Sequence, residues 1–247
     1  MNKTINLLKS RTSVRVFDTS FSIPKKEKDL IIECAKQAPT WMNGQNYQII
    51  IFKDTMKEEL AKILEVSGNS SNAKIINQCS IFLLFCIDYH IYIEDGYTFD
   101  FSNEVEPLLI STTDVSLALE NAVIAAESLE LGSCVIGGIR RDADKIIDFL
   151  KMPDYTYPIA GVALGKPLYP KQNPKPRLEN KINVFDANNY SRDINLDLIN
   201  YYDCILKQYA HKYNYSSSPW LERFKNYYKN KEFPISTKLI LKKQKLF

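Results

Sequence analysis

Ser80-Ile81-Phe82-Leu83-Leu84-Phe85-Cys86-Ile87-Asp88 is the stretch on which the fold turns. Its unbroken apolar run is too short for an ordinary helix and reads as a strand buried on both faces. Such a strand lies inside a sheet that is covered on both sides. Upstream, Tyr47 to Lys53 is rich in β-branched residues and reads as a second strand. A helix follows at about 57–66, then a Gly/Ser/Asn loop at 67–72. Further back, Ser22 and Pro24 mark a helix start, and Leu30, Ile31, Cys34, Ala35 and Ala38 give that helix an apolar stripe. Pro39 stops it, leaving 40–46 as a turn, and residues 2–10 read as a short helix.

Downstream, 89–107 is aromatic and acidic, with Tyr89, Tyr92, Tyr97, Phe99 and Phe101 at no clean period, and reads as a loop or lid. The longest helical pattern covers 108–130, carried by Asp114, Leu117, Asn121, Ile124 and Leu129, with Gly132 where a C-cap is expected. Ala118, Ala122, Ala125 and Ala126 predict close packing, as in a central or dimer-forming helix. Short strands at 133–136 and 159–164 flank a helix at 142–151, and amphipathic helices at 195–212 and 219–230 follow a Pro-rich passage. Helices and strands alternate as in an α+β domain with a C-terminal helical arm.

The bulk numbers exclude more than they assign. A chain of 247 residues, 45% hydrophobic and 25% charged, is ordinary for a soluble globular protein. Its net charge of +3 is too small to argue for nucleic acid. Between Leu206 and Phe247, ten Lys/Arg face two Asp/Glu, a solvated basic surface that also attracts anionic ligands such as nucleotides. Five scattered cysteines without a C-x-x-C, and only two histidines, leave no zinc site or other metal expected. They read as reduced thiols of a cytoplasmic protein. No apolar signal core and no membrane-spanning apolar run is read, so no membrane partner is expected. Phosphate-loop, nucleophile-elbow and dinucleotide-fold glycine motifs are absent. His90 reads as a satisfied or surface histidine, with a substrate contact as the other reading.

Two cationic clusters carry the binding chemistry. Arg11-Thr12-Ser13-Val14-Arg15 and Lys175-Pro176-Arg177, each on a non-helical stretch, look like two halves of one anion site. Arginine offers a rigid fork of donors to phosphate, and a serine hydroxyl adds another. Five of the eight glycines fall between 132 and 165, where a ligand ring can approach the backbone closely.

Taken in order, Arg11 to Phe17, Ala38-Pro39-Thr40-Trp41-Met42-Asn43-Gly44-Gln45, Gly132 to Gly138, Gly161 to Pro167 and Asn173 to Leu178 resemble the flavin-dependent nitroreductase family. The spacing is most similar to its larger, NADPH-preferring, oxygen-insensitive nitroreductase and flavin reductase branch, over about residues 3–230. The resemblance implies a nitroreductase-like fold, with a central, mostly antiparallel sheet flanked by helices and a long central dimer helix. It implies an FMN-binding domain at 1–190 and a helical extension at 191–247 that packs on the same domain or on the partner subunit. It further implies a homodimer with non-covalent FMN at the subunit interface. NADPH or NADH donates electrons, and small aromatic acceptors receive them. By carry-over, Arg11 and Ser13 hold the FMN phosphate together with Lys175 and Arg177, and Arg15 reaches the pyrimidine edge of the ring. Thr40, Trp41, Met42 and Asn43 contact ribityl and ring from the partner subunit, and Gly137 and Gly138 flank the ring. Thr12 and Ile136 fall within the same matched motifs and are counted with the cofactor-binding set.

The sequence departs from the family pattern in three ways. Thr12 replaces a basic residue, Trp41-Met42 stand where small residues are common, and Lys207, Lys212, Arg223 and Lys225 give no clear match to the arginines that grip the NADPH 2′-phosphate. NADPH and NADH therefore both remain open as donor. The implied reaction is ping-pong, two-electron reduction of nitroaromatics, quinones or free flavin, with hydride passing through FMN N5 and Arg15 as electrostatic support. The alternatives are a flavin-binding or flavin-delivery protein and a specialised member with a narrow non-nitro substrate.

Overall fold

The computed structural model describes all residues except 1, 94, 95, 97, 191–194, 215–217 and 231–235, so Tyr97 and parts of the C-terminal extension lie outside the described residues. Contacts divide the chain into two units, Met1–Lys171 with Ile235–Phe247, and Gln172–Pro234. The last helix, Thr237–Lys243, falls in the first unit.

The first unit is built on a four-stranded antiparallel sheet of order β1-β2-β4-β3, with β1 Tyr47–Phe52, β2 Ile81–Asp88, β3 Gly132–Ile136 and β4 Thr156–Gly165. β2 is interior, which is why every residue from Ile81 to Ile87 is buried and why its sequence lacks alternation. β4 is longer than 159–164 because it runs through Pro158. The β2–β4 register shifts between Phe85 and Cys86, where Cys86 faces Pro158, so the missing N–H falls at an irregularity.

The helices of this unit are α1 Lys3–Ser10, α2 Lys25–Lys36, α3 Asp54–Val66, α4 Ser70–Gln78, α5 Glu106–Ser128, α6 Ala143–Leu150 and α10 Thr237–Lys243. α4 stands partly where a loop was expected. Its buried Ala73, Ile75 and Ile76 supply the apolar face that the Gly/Ser/Asn-rich entry concealed. Gly132 is the first residue of β3 and not a helix cap. α5 ends at Ser128 with Leu129 as C-cap, and Glu130 takes the left-handed conformation at φ 63°. Ala118, Ala122 and Ala126 are fully buried on α5, which packs against α2 and the sheet. By length and composition α5 is apolar enough to cross a membrane, which corrects the expectation that no run reaches that length. It buries Ser111, Asp114 and Glu127, polar groups that a folded interior can satisfy. α10 packs on α6, where Gln244 O accepts from Tyr155 N at 2.8 Å and Leu246 is fully buried.

The second unit holds α7 Asn180–Asn183, α8 Leu196–Lys212 and α9 Trp220–Lys229. Tyr202 and Trp220 join α8 to α9 edge to face, with ring centroids 5.8 Å apart.

Candidate cofactor and acceptor site

The chain leaves α1 at Arg11 and runs along the free edge of β3. Val14 N donates to Ser133 O at 2.8 Å, and beyond it Phe17 bridges Pro167. Gly132 permits this approach, because a Cβ there would lie 2.8 Å from Val14 Cγ2 and 2.9 Å from its Cβ. Val14 is buried, while Arg15 is exposed and Arg11, Thr12 and Ser13 are half-buried. The structure thereby sets Arg11, Thr12, Ser13 and Arg15 along the Gly132–Ser133 end of β3, while Ile136 is buried at the strand's other end. Burial pushes the Cys134 thiol up, and Arg15 and Arg11 both oppose it, so both guanidinium groups act on this strand.

Glu127, near the end of α5, organises this strip. Its carboxylate accepts from Ser133 Oγ at 2.6 Å, pairs with Lys171 Nζ at 3.3 Å and faces Arg11 Nε at 3.6 Å. Lys171 also donates to Leu131 O at 3.1 Å. Arg11 Nε is buried without a hydrogen bond, and among the described residues the Nη groups of Arg11 have no hydrogen-bond partner. One edge of the guanidinium is thus held by Glu127 and the other is available to an anion. Sequence reading missed Glu127, Ser133 and Lys171. Glu127 is one of four acids on α5, and nothing in the sequence sets it apart.

Gly137 and Gly138 open a 3₁₀ turn, Gly137–Asp142. A Cβ on Gly138 would lie 2.3 Å from Asn72 Nδ2, and Gly138 O accepts from Asn69 Nδ2 at 3.2 Å. The closest neighbour that Gly138 accommodates is therefore the α4 N-terminus. A Cβ on Gly137 would meet the Arg140 guanidinium at 3.4 Å.

The turn after α2 is unusual in its backbone. Met42, Asn43 and Gln45 all have left-handed φ, at 50°, 57° and 54°. Each such non-glycine residue costs about 1–2 kcal/mol and persists only where its surroundings impose it. Buried Asp114 of α5 supplies the restraint, accepting from Trp41 N at 3.1 Å and from Asn46 Nδ2 at 3.5 Å. Thr40 Oγ1 accepts from Gln45 N at 3.3 Å. The turn presents Trp41 and Met42 to solvent, 56% and 79% exposed, beside a pocket of about 680 Å³. Its opposite wall is the aromatic stretch after β2, where Tyr89, Phe99 and Phe101 pack edge to face or stacked. His90 lies near this wall, its backbone N–H donating to Asp88 Oδ1 at 2.9 Å. Burial pushes the Asp88 carboxyl up.

Lys175 and Arg177 lie in the second unit on an irregular strip pinned by tyrosines. Tyr209 OH donates to Asn173 O at 2.6 Å, Asn173 N donates to Tyr213 OH at 2.9 Å, and Tyr202 OH donates to Pro176 O at 3.2 Å. Arg177 Nη1 donates to Lys175 O at 3.3 Å, and both side chains are exposed. Helix α8 therefore presents the second cationic cluster in a defined conformation.

An antiparallel sheet edged by an arginine strip, with a strained turn that carries exposed apolar side chains beside an aromatic pocket, defines an α+β protein with a cationic edge and an aromatic cleft. The Nitroreductase family model matches residues 8–166, and the chain belongs to that family. It is 31% identical to the FMN reductase (NAD(P)H) of Bacillus subtilis over 241 residues, 95% of this chain and 94% of that protein. It is 32% identical to the NADPH-flavin oxidoreductase of Vibrio harveyi, covering 85% and 83% of the two chains. The solved structure of NfrA2 from B. megaterium superposes with a TM-score of 0.86 at 31% identity, covering 99% of this chain and 98% of that one. The nitroreductase-like fold expected from the sequence is thus observed.

Proposed function

We propose that this protein is a cytoplasmic, homodimeric, FMN-dependent NAD(P)H oxidoreductase that reduces nitroaromatics, quinones or free flavin by two electrons. Its family membership and its similarity to flavin reductases over nearly the whole chain support the activity. The observation that carries the cofactor assignment is Arg11, held by Glu127 at its Nε edge with its Nη groups unengaged among the described residues. That arrangement fits a phosphate monoester, which accepts paired donors from a guanidinium.

Arg11 and Ser13, with Thr12 between them, would grip the phosphate of FMN, and Lys175 and Arg177 are the further cofactor-binding cations of this reading. Arg15 would set a cation at the pyrimidine edge, and Ile136, Gly137 and Gly138 would back the ring. Thr40, Trp41, Met42 and Asn43 would reach the FMN of the partner subunit, which accounts for two large apolar side chains exposed on a strained turn. When bound, FMN supplies reversible two-electron chemistry between a reduced nicotinamide and an acceptor. The chain's part is positioning and electrostatic support. The aromatic stretch around Tyr89 and Phe101 would cover the acceptor pocket.

The purified protein is expected to be yellow and to bleach anaerobically with NADPH or NADH. A colourless protein that FMN cannot reconstitute would overturn the reading. Lys175→Ala is expected to weaken FMN binding. Arg15→Ala should also lower the flavin's reduction potential, because a cation at the ring favours the reduced, anionic form.

A further inference from the structure

Two helix N-caps in the first unit give up their usual work. Asn69 precedes α4 and Asp142 precedes α6, residue types whose side chains ordinarily accept from the first N–H groups of their own helix. Among the described residues neither side chain makes that bond, and both are buried. They meet each other instead, with Asn69 Nδ2 donating to Asp142 Oδ2 at 3.2 Å.

The same amide nitrogen donates to Gly138 O at 3.2 Å. A side-chain amide has two N–H donors, so Asn69 places one near each end of the Gly137–Asp142 turn. Its orientation is fixed from behind, because Asn69 Oδ1 accepts from Asn72 Nδ2 at 2.7 Å and the nitrogen is left facing the turn. Gly138 makes room for this arrangement, since a Cβ there would lie 2.3 Å from Asn72 Nδ2.

The backbone of Asn69 is held as firmly. α3 closes with Gly68 left-handed at φ 77°, Gly68 N donating to Glu65 O at 2.9 Å and Asn69 N to Leu64 O at 2.8 Å, a Schellman closure. Asn69 O then accepts from Asn72 N and Ala73 N, both at 3.1 Å, to start α4. From α6, Lys145 Nζ lies 3.9 Å from Asp142 Oδ1 and donates to Ser67 Oγ. Three helices thus converge on one short turn and hold it before any ligand arrives. A preformed surface saves the ordering cost of binding.

We propose that Asn69 is a positioning residue for the cofactor: its one amide group clamps both ends of the Gly137–Asp142 turn and so sets the backbone surface that receives the flavin ring. This rests on the reading that places the ring at Gly137 and Gly138.

The test is titration of the protein, freed of bound flavin, with FMN, reading both the Kd and the visible absorption of the bound ring. Asn69→Ala should raise the Kd about fivefold, the worth of one hydrogen bond, and move the bound spectrum toward that of free FMN. Arg11→Ala, which acts at the phosphate, should raise the Kd and leave the bound spectrum as in wild type. Asp142→Ala should repeat the effect of Asn69→Ala, while Asp142→Asn keeps an oxygen for Asn69 to donate to and should restore wild-type Kd and spectrum. Should Asn69→Ala fail to fold, Asn72→Ala, which only frees the amide to turn, should show the same spectral change with a smaller, about twofold, rise in Kd. A variant that lowers Tm while Kd and spectrum stay at wild-type values assigns Asn69 a structural role alone and overturns the proposal, as does an Asp142→Asn protein no better than Asp142→Ala. If the wild type itself takes up no FMN, the cofactor reading fails and the role of Asn69 falls with it; if the wild type and every Asn69 and Asp142 variant bind FMN alike, only the role of Asn69 fails.

Discussion

Glu127→Gln is the sharpest perturbation of the arginine strip, because it removes a charge without removing volume. The wild-type side chain is 2% exposed and serves Ser133 Oγ, Lys171 Nζ and Arg11 Nε at 2.6, 3.3 and 3.6 Å. Glutamine keeps the neutral bond to Ser133 and loses both ionic contacts. A charge-assisted contact is worth about 1.5–3 kcal/mol net, and removing one partner of a fully buried pair costs about 3–5 kcal/mol. The partner cations are 22% and 30% exposed, so water recovers much of their solvation and the lower range applies. We expect a loss of about 2 kcal/mol, or about 4–8 °C in Tm for a chain of this size. Denaturant unfolding of the FMN-free protein measures it, and a cycle with Arg11→Ala should show a coupling of about 1 kcal/mol. A loss below about 0.5 kcal/mol, or additive single mutants, would refute the view that Glu127 orients Arg11.

Gly132→Ala should lift the 11–15 strip from β3, since the added Cβ would stand 2.8–3.0 Å from the Val14 side chain. About 1–3 kcal/mol of overpacking strain is expected, together with weaker FMN binding; unchanged Tm and FMN affinity would count against this role. The five thiols should divide by burial. Cys34 and Cys204 are exposed, whereas burial pushes Cys79 up to about 12 and also raises Cys86 and Cys134. Since the thiolate is the reactive form, two thiols should titrate rapidly with a disulfide reagent at neutral pH and all five only after unfolding. Rapid reaction of a third thiol in the native protein would contradict the packing around β2 and β3.

What was legible in the sequence followed from local pattern. The run 81–87 announced an interior strand because nothing polar interrupts it, and the sheet order confirms that position. The same logic failed where a tertiary partner decides. α4 was hidden because its apolar residues follow an Asn/Ser-rich start, and β4 was cut short because Pro158 reads as a strand breaker until a register shift accommodates it. At the site, Arg11, Ser13 and Arg15 were visible as a cluster of donors. Glu127 was not, because nothing in the sequence sets it apart from Glu106, Asp114 and Glu120 on the same helix until its three partners arrive from β3, the 11–15 strip and Lys171. The left-handed turn was equally invisible, for none of Met42, Asn43 and Gln45 is a glycine.

The two buried acids of α5 explain each other's placement. Asp114 holds the turn that carries Trp41 and Met42, and Glu127 holds the strip that carries Arg11. At 1.5 Å per residue they stand about 20 Å apart along one rigid element. A helix apolar enough by composition to span a membrane thus spends its few buried charges on the two segments that the proposed cofactor and acceptor require. Burying a carboxylate is costly unless donors meet it, and here each acid meets donors supplied by a functional segment. The strain of the turn and the orientation of the arginine therefore share one support, and the spacing between them is set by helix geometry rather than by either loop.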